Sequence, residues 1–77
     1  MLIYSLEIVL NNSLRPIKTY IECFDKNDAD KMFSEFVADI LETDGWYALE
    51  IEHETYVFKA KNIEQMEWLC ITEEVNL

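Results

Sequence analysis

Apolar and polar positions alternate at the start of the chain. Leu2, Tyr4, Leu6, Ile8 and Leu10 share one parity, and Ile3, Ser5, Glu7 and Val9 share the other. A period of two puts these sets on opposite faces of a β-strand. The run "NNSLRP" (11–16) interrupts the pattern with turn-forming residues. Alternation resumes in "IKTYIECF" (17–24), with Ile17, Thr19, Ile21 and Cys23 on one side. Two such runs around a short connection predict a hairpin.

The period then lengthens. In "DKNDADKMFSEFVADILETDG" (25–45), Ala29, Phe33, Phe36, Val37, Ile40 and Leu41 recur at helical spacing, which predicts a helix with one apolar stripe. Asp25 or Asn27 is placed to cap its start by accepting from unpaired backbone N–H groups. Asp28 and Asp30 then lie where the helix dipole favours negative charge. Gly45 is the expected C-terminal cap.

"WYALEIEH" (46–53), "TYVFKAK" (55–61) and "QMEWLCIT" (65–72) are rich in aromatic and β-branched residues and too short for independent helices. They predict three strands in an antiparallel meander joined at "HE" and "NIE". The expected fold class is α+β: a single antiparallel sheet of about five strands in the order β-β-α-β-β-β, with one amphipathic helix packed on one face. Residues 1–77 form one domain on this reading. If Tyr47, Leu49 and Ile51 face the helix, Trp46, Ala48, Glu50 and Glu52 face away. The outer set of the first hairpin is Ile3, Glu7, Val9, Lys18, Tyr20, Glu22 and Phe24, a mixed face of the kind that marks contact surfaces. The last two strands are apolar on both sides, so periodicity leaves their facing open.

Charge narrows the function. The 77 residues hold 16 acids and 6 bases, a formal net charge of -10. Direct binding to nucleic acid or an anionic membrane is disfavoured, because that attraction is mostly Lys and Arg meeting phosphate. A basic protein partner is favoured, with association speeded by long-range attraction and weakened by salt. No apolar run approaches the roughly 18 residues of a membrane span. "MLIYSLEIVL" lacks a basic flank and meets Glu7, unlike a signal peptide. Cys23 and Cys70 are accordingly expected as reduced thiols, and the protein as cytoplasmic.

Candidate chemistry fails on spacing. Cys23, His53 and Cys70 include no short ligand pair of a structural zinc site. "HETYV" starts like a metalloprotease helix, but Val57 occupies the position of the second His. Asp25 and Asn27 fit the first ligand positions of an EF-hand loop. Ala29, Asp30 and Phe36 then stand where a ligand, the turn glycine and the closing carboxylate belong. Both cysteines fall inside strand patterns, where a buried thiol is inert. Neither enzymatic activity nor a metal or cofactor is expected.

The remaining signal is "EFVADILETDGWYALEIEHE" (35–54), seven carboxylates without a Lys or Arg. Glu35, Asp39 and Glu42 stack at i, i+4 and i+7 on the outer helix face, about 6 Å apart. Asp44 follows, and Glu50, Glu52 and Glu54 alternate beyond it at about 7 Å. Phosphates along a nucleic-acid strand are separated by roughly 6–7 Å. Such a row suits the Lys and Arg of a nucleic-acid-binding groove, with Trp46 as hydrophobic anchor. The competing account is solvation, since acidic residues keep small proteins soluble. In size and charge alone, the chain is similar to phage-encoded inhibitors of host defence, anti-CRISPR proteins among them. That likeness carries over no motif and no residue.

The leading expectation is therefore a small, acidic, non-enzymatic inhibitor or regulator that occupies a basic, nucleic-acid-binding surface of a partner protein. Its expected partner-binding residues are Glu35, Asp39, Glu42, Asp44, Trp46, Glu50, Glu52 and Glu54. The alternative is an assembly protein forming a homodimer or larger homo-oligomer through its open sheet.

Overall fold

The computed structural model describes residues 1–51 and 53–72. Five strands and one helix follow the order read from the sequence. They are β1 (Leu2–Leu10), β2 (Ile17–Cys23), α1 (Lys26–Glu42), β3 (Trp46–Ile51), β4 (Glu54–Lys59) and β5 (Ile63–Cys70), with a single 3₁₀ turn at Ala60–Asn62. The fold is α+β and every strand pairing is antiparallel.

The strands divide between two sheets rather than forming one. The order is β2-β1-β5 in the larger sheet, and β3 pairs with β4 in the smaller. The expected meander therefore stops after β4. The 3₁₀ turn redirects the chain, and the Asn11 N–H donates to the Asn62 carbonyl at 2.8 Å, holding β5 beside β1. Tyr4, Leu6 and Ile8 lie opposite Cys70, Trp68 and Met66 across this ladder. β1 thus becomes the central strand, paired on both edges, and its inward residues Tyr4, Leu6 and Ile8 are buried.

Both sheets turn an apolar face toward a shared core. Leu6 and Ile8 from the larger sheet meet Leu49 and Phe58 from the smaller one and Ile40 from α1, with Phe33, Phe36, Tyr47 and Trp68 packed around them. A second cluster joins Tyr4, Cys23 and Ala29 where the helix starts. The strands with unassigned facing now resolve. Tyr56 and Phe58 on β4, and Met66, Trp68 and Cys70 on β5, join the core side. Trp68 is stacked between Tyr4 and Phe33, with ring centroids 4.8 and 5.1 Å away.

The start of α1 follows from local chemistry. The Asp25 carboxylate accepts from the Asp28 N–H at 2.8 Å, and the Asp28 carboxylate accepts from the Phe24 N–H at 3.0 Å. This reciprocal pair is a variant of the capping box, and it engages Asp25, the first residue of the stretch that resembles the start of a calcium loop. The inward stripe is Ala29, Phe33, Phe36 and Ile40, with Val37 half-buried at its edge. Leu41, expected in it, is 80% exposed, because it lies a further 100° round the helix just as α1 ends. Gly45 is not the cap itself. Thr43 ends the helix, its hydroxyl donating to the Asp39 carbonyl at 2.7 Å. Gly45, at φ 123°, supplies the left-handed turn into β3.

Candidate functional site

α1 and the β3–β4 hairpin form the layer over one face of the larger sheet, so the described acids of 35–54 decorate that layer. Glu35, Asp39, Glu42, Asp44, Glu50 and Glu54 are all exposed. On α1, Glu35 and Asp39 follow Met32 at i+3 and i+7, which places them on one flank. Asp39 lies on the side toward β3: Phe36 meets Tyr47 edge-on at 5.8 Å, and the Asp39 charge helps raise the Tyr47 hydroxyl pKa, after the larger effect of burial. The one salt bridge among the described residues joins Lys26 to Asp30 at 3.7 Å. The acids of 35–54 are therefore not neutralised by ion pairs there.

The expected row beyond the helix is interrupted. A turn separates β3 from β4, and Glu54 begins β4 directly across from Ile51. Glu54 thus has the parity of the core-facing residues, not that of Glu50, and its carboxylate accepts from the Tyr56 hydroxyl at 3.0 Å. Glu52 lies outside the described residues. The even strand spacing expected for Glu50, Glu52 and Glu54 does not extend to Glu54, whereas the helical row Glu35, Asp39, Glu42 remains.

Trp46 is 66% exposed, as an anchor must be. Tertiary pairing changes its surroundings, however. Lys59 is its register partner, with the ammonium 5.4 Å from the ring centroid. A cation absent from residues 35–54 is thereby brought onto the indole face. The Gly45 carbonyl accepts from the Ala60 N–H at 3.1 Å, so the basic segment Lys59–Lys61 runs beside Asp44.

Periodicity alone did not reveal a cleft between α1 and β3. It has a volume of about 170 Å³ and is lined by Leu6, Ile21, Met32, Phe33, Phe36, Leu49, Glu50, Ile51 and Trp68. Among the described residues, Glu50 is the one charged residue in that lining. Its signal in the sequence was Met32, an apolar residue off the main helical stripe. The buried Trp68 indole N–H, Nε1, has no acceptor among the described residues.

Among the described residues, no helix or strand packs on the other face of the larger sheet. Register places Lys18, Tyr20 and Glu22 of β2 beside Glu7, Ser5 and Ile3 of β1, and Gln65, Glu67 and Leu69 of β5 beside Val9, Glu7 and Ser5. Tyr20 and Leu69 are each 53% exposed, and Phe24 just beyond β2 is 78% exposed.

Reactive groups are dispersed or shielded. Cys23 is buried and its thiol pKa is raised, first by burial and then by the charges of Asp28 and Cys70. His53 lies in the β3–β4 turn. Among the described residues, no three His, Cys, Asp or Glu side chains are grouped to hold a metal ion. No helix there is long and apolar enough to cross a membrane.

No protein-family model matches the chain, and neither a curated protein nor a solved structure is significantly similar to it. The fold and surface define a small acidic α+β protein.

Proposed function

We propose that the protein is a non-enzymatic inhibitor or regulator that occupies a basic, nucleic-acid-binding surface of a partner protein. The observation that carries this reading is the exposed, un-neutralised acidic layer formed by Glu35, Asp39 and Glu42 on α1 and Glu50 on β3. Arg and Lys of the partner meet these carboxylates in place of phosphate, and Arg can do so bidentately. No bond is made or broken. Inhibition follows from occupying the groove that nucleic acid would use. Two free thiols fit a reducing cytoplasm as the working compartment.

The test is capture of binding proteins from the native host at low and high salt, with DNA or RNA as competitor. Retained proteins should bind nucleic acid, elute with salt and be displaced by the competitor. They should be lost with a Glu35→Lys/Asp39→Lys/Glu50→Lys variant. Salt-insensitive capture that the triple variant leaves intact overturns the proposal.

A second reading, homo-oligomerisation, is favoured by the exposure of Tyr20, Phe24 and Leu69 on the outer face of the larger sheet. Sedimentation separates the two. A tight, salt-resistant dimer supports assembly, whereas a monomer leaves the acidic layer for another protein.

A further inference from the structure

We propose that the cleft between α1 and β3 receives one apolar side chain presented by a basic segment of a protein partner. This rests on the reading above and adds the contact that turns long-range attraction into affinity. Electrostatic steering raises association rates, but a desolvated anchor dominates binding energy. The expected anchor, Trp46, lies beneath the Lys59 ammonium and would bring that cation toward a basic surface. The cleft inverts the arrangement: this protein supplies the socket and the partner supplies the side chain.

Size, lining and charge select the occupant. A dry apolar cavity of about 150 Å³ accommodates a benzene-sized molecule, and this cleft measures about 170 Å³. It therefore matches a single leucine or phenylalanine side chain. Phe33 and Trp68 contribute apolar walls, and Met32, 37% exposed, stands on the helix side. Glu50 belongs to the opposite wall, while Glu35 and Asp39 share the Met32 flank. Lys31 is the nearby base in sequence, and the described residues place it in no ion pair. This excess of negative charge repels acidic peptides, nucleic acid and a second copy of a chain carrying -10. Lys or Arg on either side of the inserted apolar residue complements it.

The test titrates the labelled full chain at low ionic strength with three short peptides. Two are rich in Lys and Arg and differ only in a central Leu or Gly. The third keeps the Leu between uncharged residues. The basic Leu peptide should bind about tenfold or more tightly than the basic Gly peptide, since one buried leucine side chain separates them. It should shift the NMR signals of the Met32 methyl and the Trp68 indole N–H. Met32→Trp, which fills the mouth from an exposed helical position, should abolish the difference while retaining affinity for the Gly peptide. Its amide spectrum reports whether the fold is kept.

Equal binding of the two basic peptides to the natural protein overturns the cleft proposal and leaves the basic-partner reading standing. Binding of neither overturns both. A neutral Leu peptide that binds as tightly as the basic one overturns the proposal that the occupant is a basic segment. Persistence of the Leu preference in folded Met32→Trp locates the anchor elsewhere and also overturns the proposal.

Discussion

Phe58→Leu tests the consequence of dividing five strands between two sheets. β3 and β4 hydrogen-bond to each other, and neither pairs with the larger sheet. An isolated two-stranded hairpin is marginal in water, so side chains must hold this one in place. Phe58 is central to that attachment: it is 3% exposed, belongs to the cluster with Leu6, Ile8 and Ile40, and lies 5.8 Å from the Tyr47 ring. Truncating a buried Phe to Ala costs about 3–5 kcal/mol. A chain of 77 residues has a total stability of about 4–12 kcal/mol. Phe58→Ala therefore threatens the whole fold, whereas Phe58→Leu removes less volume and leaves a protein that can be measured. Native-state hydrogen exchange is the assay. Amides paired between β3 and β4 should lose protection in Phe58→Leu by a larger factor than those pairing β1 with β2 and β5. An equal loss in all five strands would refute the reasoning, since the sheets would then be opening as one cooperative unit.

Other outcomes follow from particular features. Gly45→Ala should destabilise the fold by about 1–3 kcal/mol, read by urea denaturation, because φ 123° strains any side-chain-bearing residue although a Cβ would meet nothing within 4 Å. Added salt should raise the melting temperature of the isolated protein by screening repulsion within a chain of net charge -10, and a fall at moderate salt would contradict this. Stability should also decline at alkaline pH. The folded protein holds the Cys23 thiol above its ordinary pKa of 9.0, chiefly by burial, and the Tyr47 hydroxyl above 10.0 by burial and then by Asp39. As pH passes those ordinary values, the unfolded chain ionises first and binds fewer protons, so folding stability falls with rising pH until the raised folded values are passed. Urea midpoints measured across the alkaline range, in natural protein and Cys23→Ala, would check the sign and the thiol's share.

Legibility in the sequence varied with the range of the interactions involved. Strand alternation at Leu2–Leu10 and the helical stripe from Ala29 to Ile40 were readable because each residue's face follows from its own backbone period. The Asp25 cap was equally local, its partner lying three residues away. Leu41 misled because it follows Ile40 in the apolar run, although one residue further on turns its side chain about 100° away from the core. Glu54 misled for another reason: alternation cannot show which residues a turn removes from the strand, and one shift in register moves a side chain to the other face. The cleft was hidden altogether. Met32 lines it only because β3 lies beside α1, a contact that no helical period encodes.

By itself, the sequence determined the α+β class, the order of elements, the helix start and a strongly acidic surface. All are set by periodicity, short-range hydrogen bonds or composition. Only the tertiary structure decided that β5 pairs with β1, that Lys59 sits over Trp46, and that α1 and β3 enclose an apolar cleft. These depend on contacts between residues distant in the chain. β5 carries apolar residues on both faces, so its pattern fits several partners equally well. What selects β1 is the joint burial of Leu6, Ile8, Met66 and Trp68 with both β1 edges hydrogen-bonded, a condition that no local pattern encodes.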